Sequence, residues 1–178
     1  MDFKKEIMDA LELIKLNAKV IPKIVKNKEG LAAALIIAAL AGVAYGIGTL
    51  NIPGIILGAI WMIVGLFIGT AIIYAIAFLF GGKAKFMDLL KPIGYMYIIM
   101  WIAVIPLIGP VIAGIAGIWS IVVEVVIVKN IYKFSTGKAA AVVLIPVAIA
   151  LIIGIIIAVV AGMAIFAAFS QTNMAALG

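Results

Sequence analysis

From Leu31 onward the sequence is a series of long apolar runs with short breaks between them. Before Leu31 it mixes charge with hydrophobicity at helical spacing. Crossing roughly 30 Å of hydrocarbon takes about 20 residues of helix. Five runs meet that length: about Leu31–Leu50, Pro53–Phe80, Pro92–Gly109, Val111–Asn130 and Ala139–Phe169. The second and fifth exceed it, so they tilt, kink or project beyond the bilayer, with Pro146 the place for a bend in the fifth. The pattern therefore predicts an all-α integral membrane protein: a segment over residues 1–30, then five transmembrane helices over residues 31–178. The first apolar run follows a charged segment and has no polar cleavage region, so no secretory signal peptide is expected.

In the first thirty residues Phe3, Ile7, Leu11, Ile14 and Ala18 recur at helical spacing, with Lys4, Lys5, Asp9, Glu12, Lys15 and Lys19 largely elsewhere. This predicts a cytoplasmic amphipathic helix lying on the inner membrane surface. It would serve as an anchor ahead of the first span, with docking of a cytosolic partner as the alternative.

Within the runs, small residues form stripes of the kind that let helices approach in lipid. Gly54, Gly58, Gly65 and Gly69 share one face of the second span with Trp61, and Ala34, Ala38, Gly42 and Gly46 do the same in the first. In the fourth, Ala113, Gly117, Ser120 and Glu124 fall on one face while Ile115, Trp119, Val122 and Val126 point elsewhere. Trp61, Trp101 and Trp119 each stand roughly 12–14 Å from their outer turn at helical rise, too deep for an interfacial belt. Packing in the outer half of the bundle is expected of them, with a cofactor-stacking cluster as the lesser reading.

Composition sharpens this. The chain is 68% hydrophobic and 11% charged, with mean hydropathy +1.42, more apolar than a soluble domain of 178 residues sustains. It has no cysteine or histidine, which removes thiol chemistry, disulfides, Cys/His zinc sites and imidazole catalysis. All thirteen basic residues are lysine, so no bidentate arginine clamp exists. High Ile and Lys without Arg points to an AT-rich, prokaryotic source. Seven lysines lie in residues 1–28, three in Gly81–Lys91 and three between Lys129 and Lys138, while the alternate turns and the tail "SQTNMAALG" carry none. The positive-inside rule then places the N-terminus and both basic loops in the cytoplasm and the C-terminus outside, in a multi-pass protein of the plasma membrane. The net charge of +6 is explained by that bias, so no nucleic acid is expected as partner. No nucleophile–base set, no carboxylate pair within a span, no metal-ligand spacing and no phosphate loop is present, and "STGK" lacks the earlier glycine of a P-loop. No enzyme activity, cofactor or metal is expected.

One stretch is familiar. "FGGKAKFMDLLKPIGYMYIIMWIAVIPLIG" places a glycine pair, Gly81 and Gly82, at the end of a span, then a basic turn to Phe86, then Gly94–Tyr95 opening the next span. Downstream come Trp119 and the basic loop Ser135-Thr136-Gly137-Lys138-Ala139, and "VIPKIVK" around Pro22 leads into the first span. In this order the chain resembles the Yip-domain family, five-span integral membrane proteins named for binding Ypt and Rab GTPases. The resemblance covers nearly the whole chain and implies a membrane-organising or adaptor role without catalysis, in a prokaryotic-type member. The longer cytosolic N-terminal region and the Asp-Leu-Tyr-Gly-Pro motif of eukaryotic members are missing here, so GTPase binding does not carry over.

The expected function is a non-enzymatic scaffold or adaptor that organises lipids or other membrane proteins, with a cytosolic partner at the cytoplasmic face and a homo-oligomer both open. The alternative is a small ion or solute transporter or channel using Glu124. Against transport stand the thin polar inventory of the spans and the lack of an internal repeat. The residues singled out for function or packing are Glu124, Ser120, Gly81, Gly82, Phe86, Gly94, Tyr95, Trp119 and Lys138. Glu124 itself has three courses: pairing with a loop lysine such as Lys83 or Lys138, accepting hydrogen bonds from Ser120 or a neighbouring helix, or staying protonated. A structural hydrogen bond or ion pair is the expectation.

Overall fold

The computed structural model describes residues 2–175. Every element among them is helical: α1 (Phe3–Ile14), a 3₁₀ turn (Ala18–Val20), α2 (Ile21–Lys26), α3 (Gly30–Gly48), α4 (Ile52–Leu79), α5 (Phe86–Met96) continuing into a 3₁₀ segment (Tyr97–Val104), α6 (Gly109–Tyr132) and α7 (Thr136–Ala175). Five stretches are long and apolar enough to span a membrane: α3, α4, α5 with its 3₁₀ continuation, α6 and α7. Two compact units divide the chain, Met1–Val143 and Leu144–Gly178, and all packing below lies in the first. The second is the remainder of α7, which runs on through Pro146. The helix runs past Phe169, the expected end of the fifth span, as far as Ala175; residues 176–178 lie outside the described residues.

Turn chemistry sets the helix ends. Asp2 caps α1 by accepting the Lys5 N–H at 3.2 Å, and Asn51 caps α4 through the Gly54 N–H at 3.0 Å, with a proline in the first turn. The third span begins at Phe86, earlier than its apolar run, because α5 is amphipathic there: Leu89 and Leu90 are buried while Met87 is exposed. It ends at Val104 rather than Gly109. Pro106 and the left-handed Leu107 (φ 67°) turn the chain, and the Leu107 N–H donates to the Gly48 carbonyl at 2.8 Å.

The third span is the hub of the first unit, since α1, α2, α3, α4 and α6 all pack on it. A Cβ on Gly94 would stand 2.6 Å from that of Ala34, so glycine permits this contact with α3. The small-residue stripe of α3 is buried, and Gly42 and Gly46 lie against Gly58 and Gly54 of α4 so closely that no Cβ fits. The α4 stripe, expected to act as one face, divides. Gly65 and Gly69 have no neighbour that an added Cβ would meet, and Trp61 is 69% exposed. Inward of Gly58 the buried face of α4 becomes Leu66, Thr70, Ile73 and Ala77, which turn toward the third span.

The N-terminal segment forms an amphipathic helix, but the face it buries is not the expected one. The face that α1 buries is Glu6, Ala10 and Leu13, with Ile7 and Ile14 partly covered, whereas Leu11 is exposed. The stripe expected to be apolar is therefore rotated, and a carboxylate stands at the centre of the contact with α5. The partners of Glu6 give the reason.

Candidate functional site

Two polar constellations stand out. At the lysine-rich end, Tyr95 Oη donates to Glu6 Oε2 and Asn27 Nδ2 donates to Glu6 Oε1 at 2.8 Å. Glu6 and Tyr95 are both buried, so satisfying both carboxylate oxygens is what makes the burial tolerable. Beside them Lys91 Nζ donates to the carbonyls of Val25 and Asn27, each at 2.9 Å, closing the C-terminal end of α2. Trp119 Nε1 donates to the Ile14 carbonyl at 2.8 Å, holding the last turn of α1 to α6. Residues 2–27 are thereby fastened to α5 and α6 by Tyr95, Lys91 and Trp119, with Asn27 bracing Glu6 from within the segment.

Glu6, Asn27 and Lys91 were not singled out by sequence reasoning. The inward Glu6 breaks the charge pattern of α1 only if the buried face is known. Tyr95 was singled out, and its role is to anchor α1. Trp119 is tied to the end of α1, while Trp101 donates to the Ile37 carbonyl at 3.0 Å. Among the described residues none of the three indoles stacks on another aromatic ring.

The remaining singled-out positions shape the same end. Gly81 takes φ +83° after α4, and Gly82 is buried where a Cβ would strike the Tyr132 ring. Phe86 opens α5 and meets Tyr74 edge-on at 5.7 Å and Phe67 at 6.5 Å. Lys138 is exposed, its Nζ 4.5 Å over the Phe134 ring. In α1, Glu12 accepts from Asn17 at 2.9 Å and Lys15 at 3.0 Å. The Asn17 hydrogen bond first, and Lys15 second, hold its carboxyl below the ordinary range.

The second constellation is a cavity of about 290 Å³ in the span region. Met62, Leu66, Gly69 and Thr70 of α4 form one wall, Ser120 and Glu124 of α6 the other, and Ile93, Met96, Tyr97 and Met100 of the third span line it between them. The 3₁₀ geometry matters here, because side chains three apart eclipse and so Tyr97 and Met100 both line the space. The cavity exists because α4 and α6 each pack on the third span but barely touch each other. The expected partner for Glu124 is absent. Ser120 donates to its own helix at the Ala116 carbonyl, 3.3 Å away, and among the described residues Glu124 makes no hydrogen bond or ion pair. Thr70, fully buried, has no partner for its hydroxyl among the described residues. Among the described residues no group of three or more acidic side chains is placed to hold a metal ion.

No curated protein and no solved structure matches this chain. The family model for the Yip1 domain matches residues 17–158. That range holds α2 to α6, the glycine pair, the Gly94–Tyr95 step and the cavity, and begins just after α1. The chain belongs to the Yip1 domain family of membrane proteins.

Proposed function

We propose that this protein is a non-enzymatic membrane scaffold, set in the plasma membrane with its N-terminus and both basic loops in the cytoplasm and its C-terminus outside. The observation that carries the reading is the fastening of residues 2–27 to the bundle through Glu6, Tyr95, Asn27, Lys91 and Trp119. It turns what would be a loose tail into a fixed surface whose lysines Lys4, Lys5, Lys19, Lys23 and Lys26 remain exposed. A preorganised basic surface binds acidic partners or anionic lipid without first ordering itself.

The test is purification in mild detergent of the native chain and a Lys19→Glu/Lys23→Glu variant, followed by identification of co-purifying proteins and by flotation with anionic vesicles. Partners or vesicles retained by the native chain and lost by the variant support the scaffold. Neither, together with solute or ion flux in liposomes, overturns it. Orientation has its own test: cysteines at Lys85 and Lys133 stay shielded from an impermeant thiol reagent in intact cells, and one at Leu107 reacts. The reverse pattern inverts the assignment.

A further inference from the structure

The scaffold reading uses the lysine-rich end and leaves the cavity without a task. Its lining has a definite chemical character. Three methionines, Leu66 and Ile93 make most of it apolar and adaptable. Against this stand Glu124 and the buried Thr70 hydroxyl, neither of which has a hydrogen-bond partner among the described residues. A carboxylate facing an apolar space in a membrane span costs free energy unless something donates to it. Among the described residues nothing donates to it: Ser120 is spent on Ala116, no lysine lines the space, and the Tyr97 and Thr70 hydroxyls that share the lining make no bond to it.

We propose that the cavity between α4 and α6 is a binding site for a lipophilic amine, an apolar body carrying one ammonium group. The ammonium donates to Glu124 and to the free acceptor of Thr70, and the body lies along Met62, Met96 and Met100. The size fits, because a dry cavity near 150 Å³ already holds benzene and this one is about 290 Å³. The site is open between two helices that hardly meet, so a ligand dissolved in the bilayer reaches it sideways. A zwitterionic phospholipid fits less well, since its phosphate would lie beside Glu124 with no lysine to receive it. This site is independent of the network that holds α1.

The experiment uses the full chain in phosphatidylcholine nanodiscs with a diazirine-bearing long-chain alkylamine, and its matched alkanol as control, with labelled peptides mapped by mass spectrometry. The amine is expected to label α4 and the third span around Met62, Met96 and Met100, and excess unlabelled dodecylamine to displace it. Glu124→Gln should cut amine labelling about tenfold, the loss of a charge-assisted hydrogen bond, and leave alkanol labelling unchanged. Gly69→Leu fills the space from a position with no neighbour to strike, and should abolish labelling while the chain keeps its native melting temperature. That second variant keeps the test decisive if Glu124→Gln fails to fold. Equal labelling of native and Glu124→Gln chains, or labelling that survives Gly69→Leu, overturns the proposal. Displacement by phosphatidylethanolamine as efficient as by dodecylamine also overturns it, because it assigns the site to a phospholipid headgroup.

Discussion

Replacing Tyr95 by Phe removes one oxygen from the best-sealed polar contact in the molecule. Glu6 is 3% exposed and Tyr95 fully buried, so no water takes the place of the lost donor. Asn27 still holds Oε1 at 2.8 Å, and Oε2 is left bare. A hydrogen bond to a charged group is worth about 2 kcal/mol, and an abandoned buried acceptor costs the same or more. The loss falls on the docking of α1 rather than on the spans, because Glu6 is the polar centre of the α1–α5 contact. About 2 kcal/mol shifts a local opening equilibrium roughly 30-fold. Amide exchange in peptides covering residues 3–14 should therefore accelerate by about that factor, while peptides from α3 and α6 stay as they are. If α1 melts only with the whole domain, the change appears instead as a fall of about 4–8 °C in melting temperature. A double-mutant cycle with Glu6→Gln should show the pair coupled by about 1 kcal/mol or more. Unchanged exchange in α1 with an unchanged melting temperature, or strictly additive variants, would refute the reasoning.

Gly42→Val drives a side chain into the Gly58 backbone and should destabilise by at least about 1–3 kcal/mol, whereas Gly65→Ala, with open space at its Cβ, should stabilise by about 0.5–1 kcal/mol; unfolding in detergent distinguishes them. Glu124→Leu should leave the melting temperature unchanged or raise it, since it abandons no partner in the apo protein, and a clear fall would reveal a bond to Glu124. Glu12, whose pKa is depressed by Asn17 and Lys15, favours the folded state above the ordinary glutamate range and loses that contribution as pH falls through its lowered value. The protection factors of the Asn17 and Lys19 amides, taken against the intrinsic rate at each pH, should fall on acidification in the native chain and stay flat in Glu12→Gln.

The spans were legible because lipid leaves the sequence no choice: each crossing needs an unbroken apolar length, and lysines bound each one at one end. Periodicity also placed Glu124 on the inward face of α6 with Ser120. It could not show that the space opposite is empty, because that depends on how far apart α4 and α6 stand on a third helix. The rotation of α1 was hidden for a similar reason. Glu6 faces inward to meet Tyr95, 89 positions away, and an amphipathic stripe read from α1 alone counts every carboxylate as solvent-facing. The α4 stripe divided because a row of glycines permits close approach at every step, and approach ends where α3 turns from α4 to the third span, its Gly42 and Gly46 lying on Gly58 and Gly54 but its Ala34 on Gly94. Nothing in "YIIMWIAV" separates α from 3₁₀, since apolar residues on all sides erase the period.

That 3₁₀ segment changes how far the third span reaches. Its eight residues rise about 2.0 Å each, so they cover about 16 Å where an α-helix would cover about 12 Å. Added to the eleven residues of α5, another 16 Å or so at α-helical rise, the crossing comes to about 32 Å. A uniform helix of the same residues would stop near 28 Å, short of a typical hydrocarbon core. Stretching the backbone lets the most crowded helix of the bundle do with fewer residues than its neighbour α4, which has 28. It also leaves α5's opening turn, with Phe86 and Asp88, at the lysine-rich end rather than drawn into the lipid. The span is lengthened by winding, not by sequence.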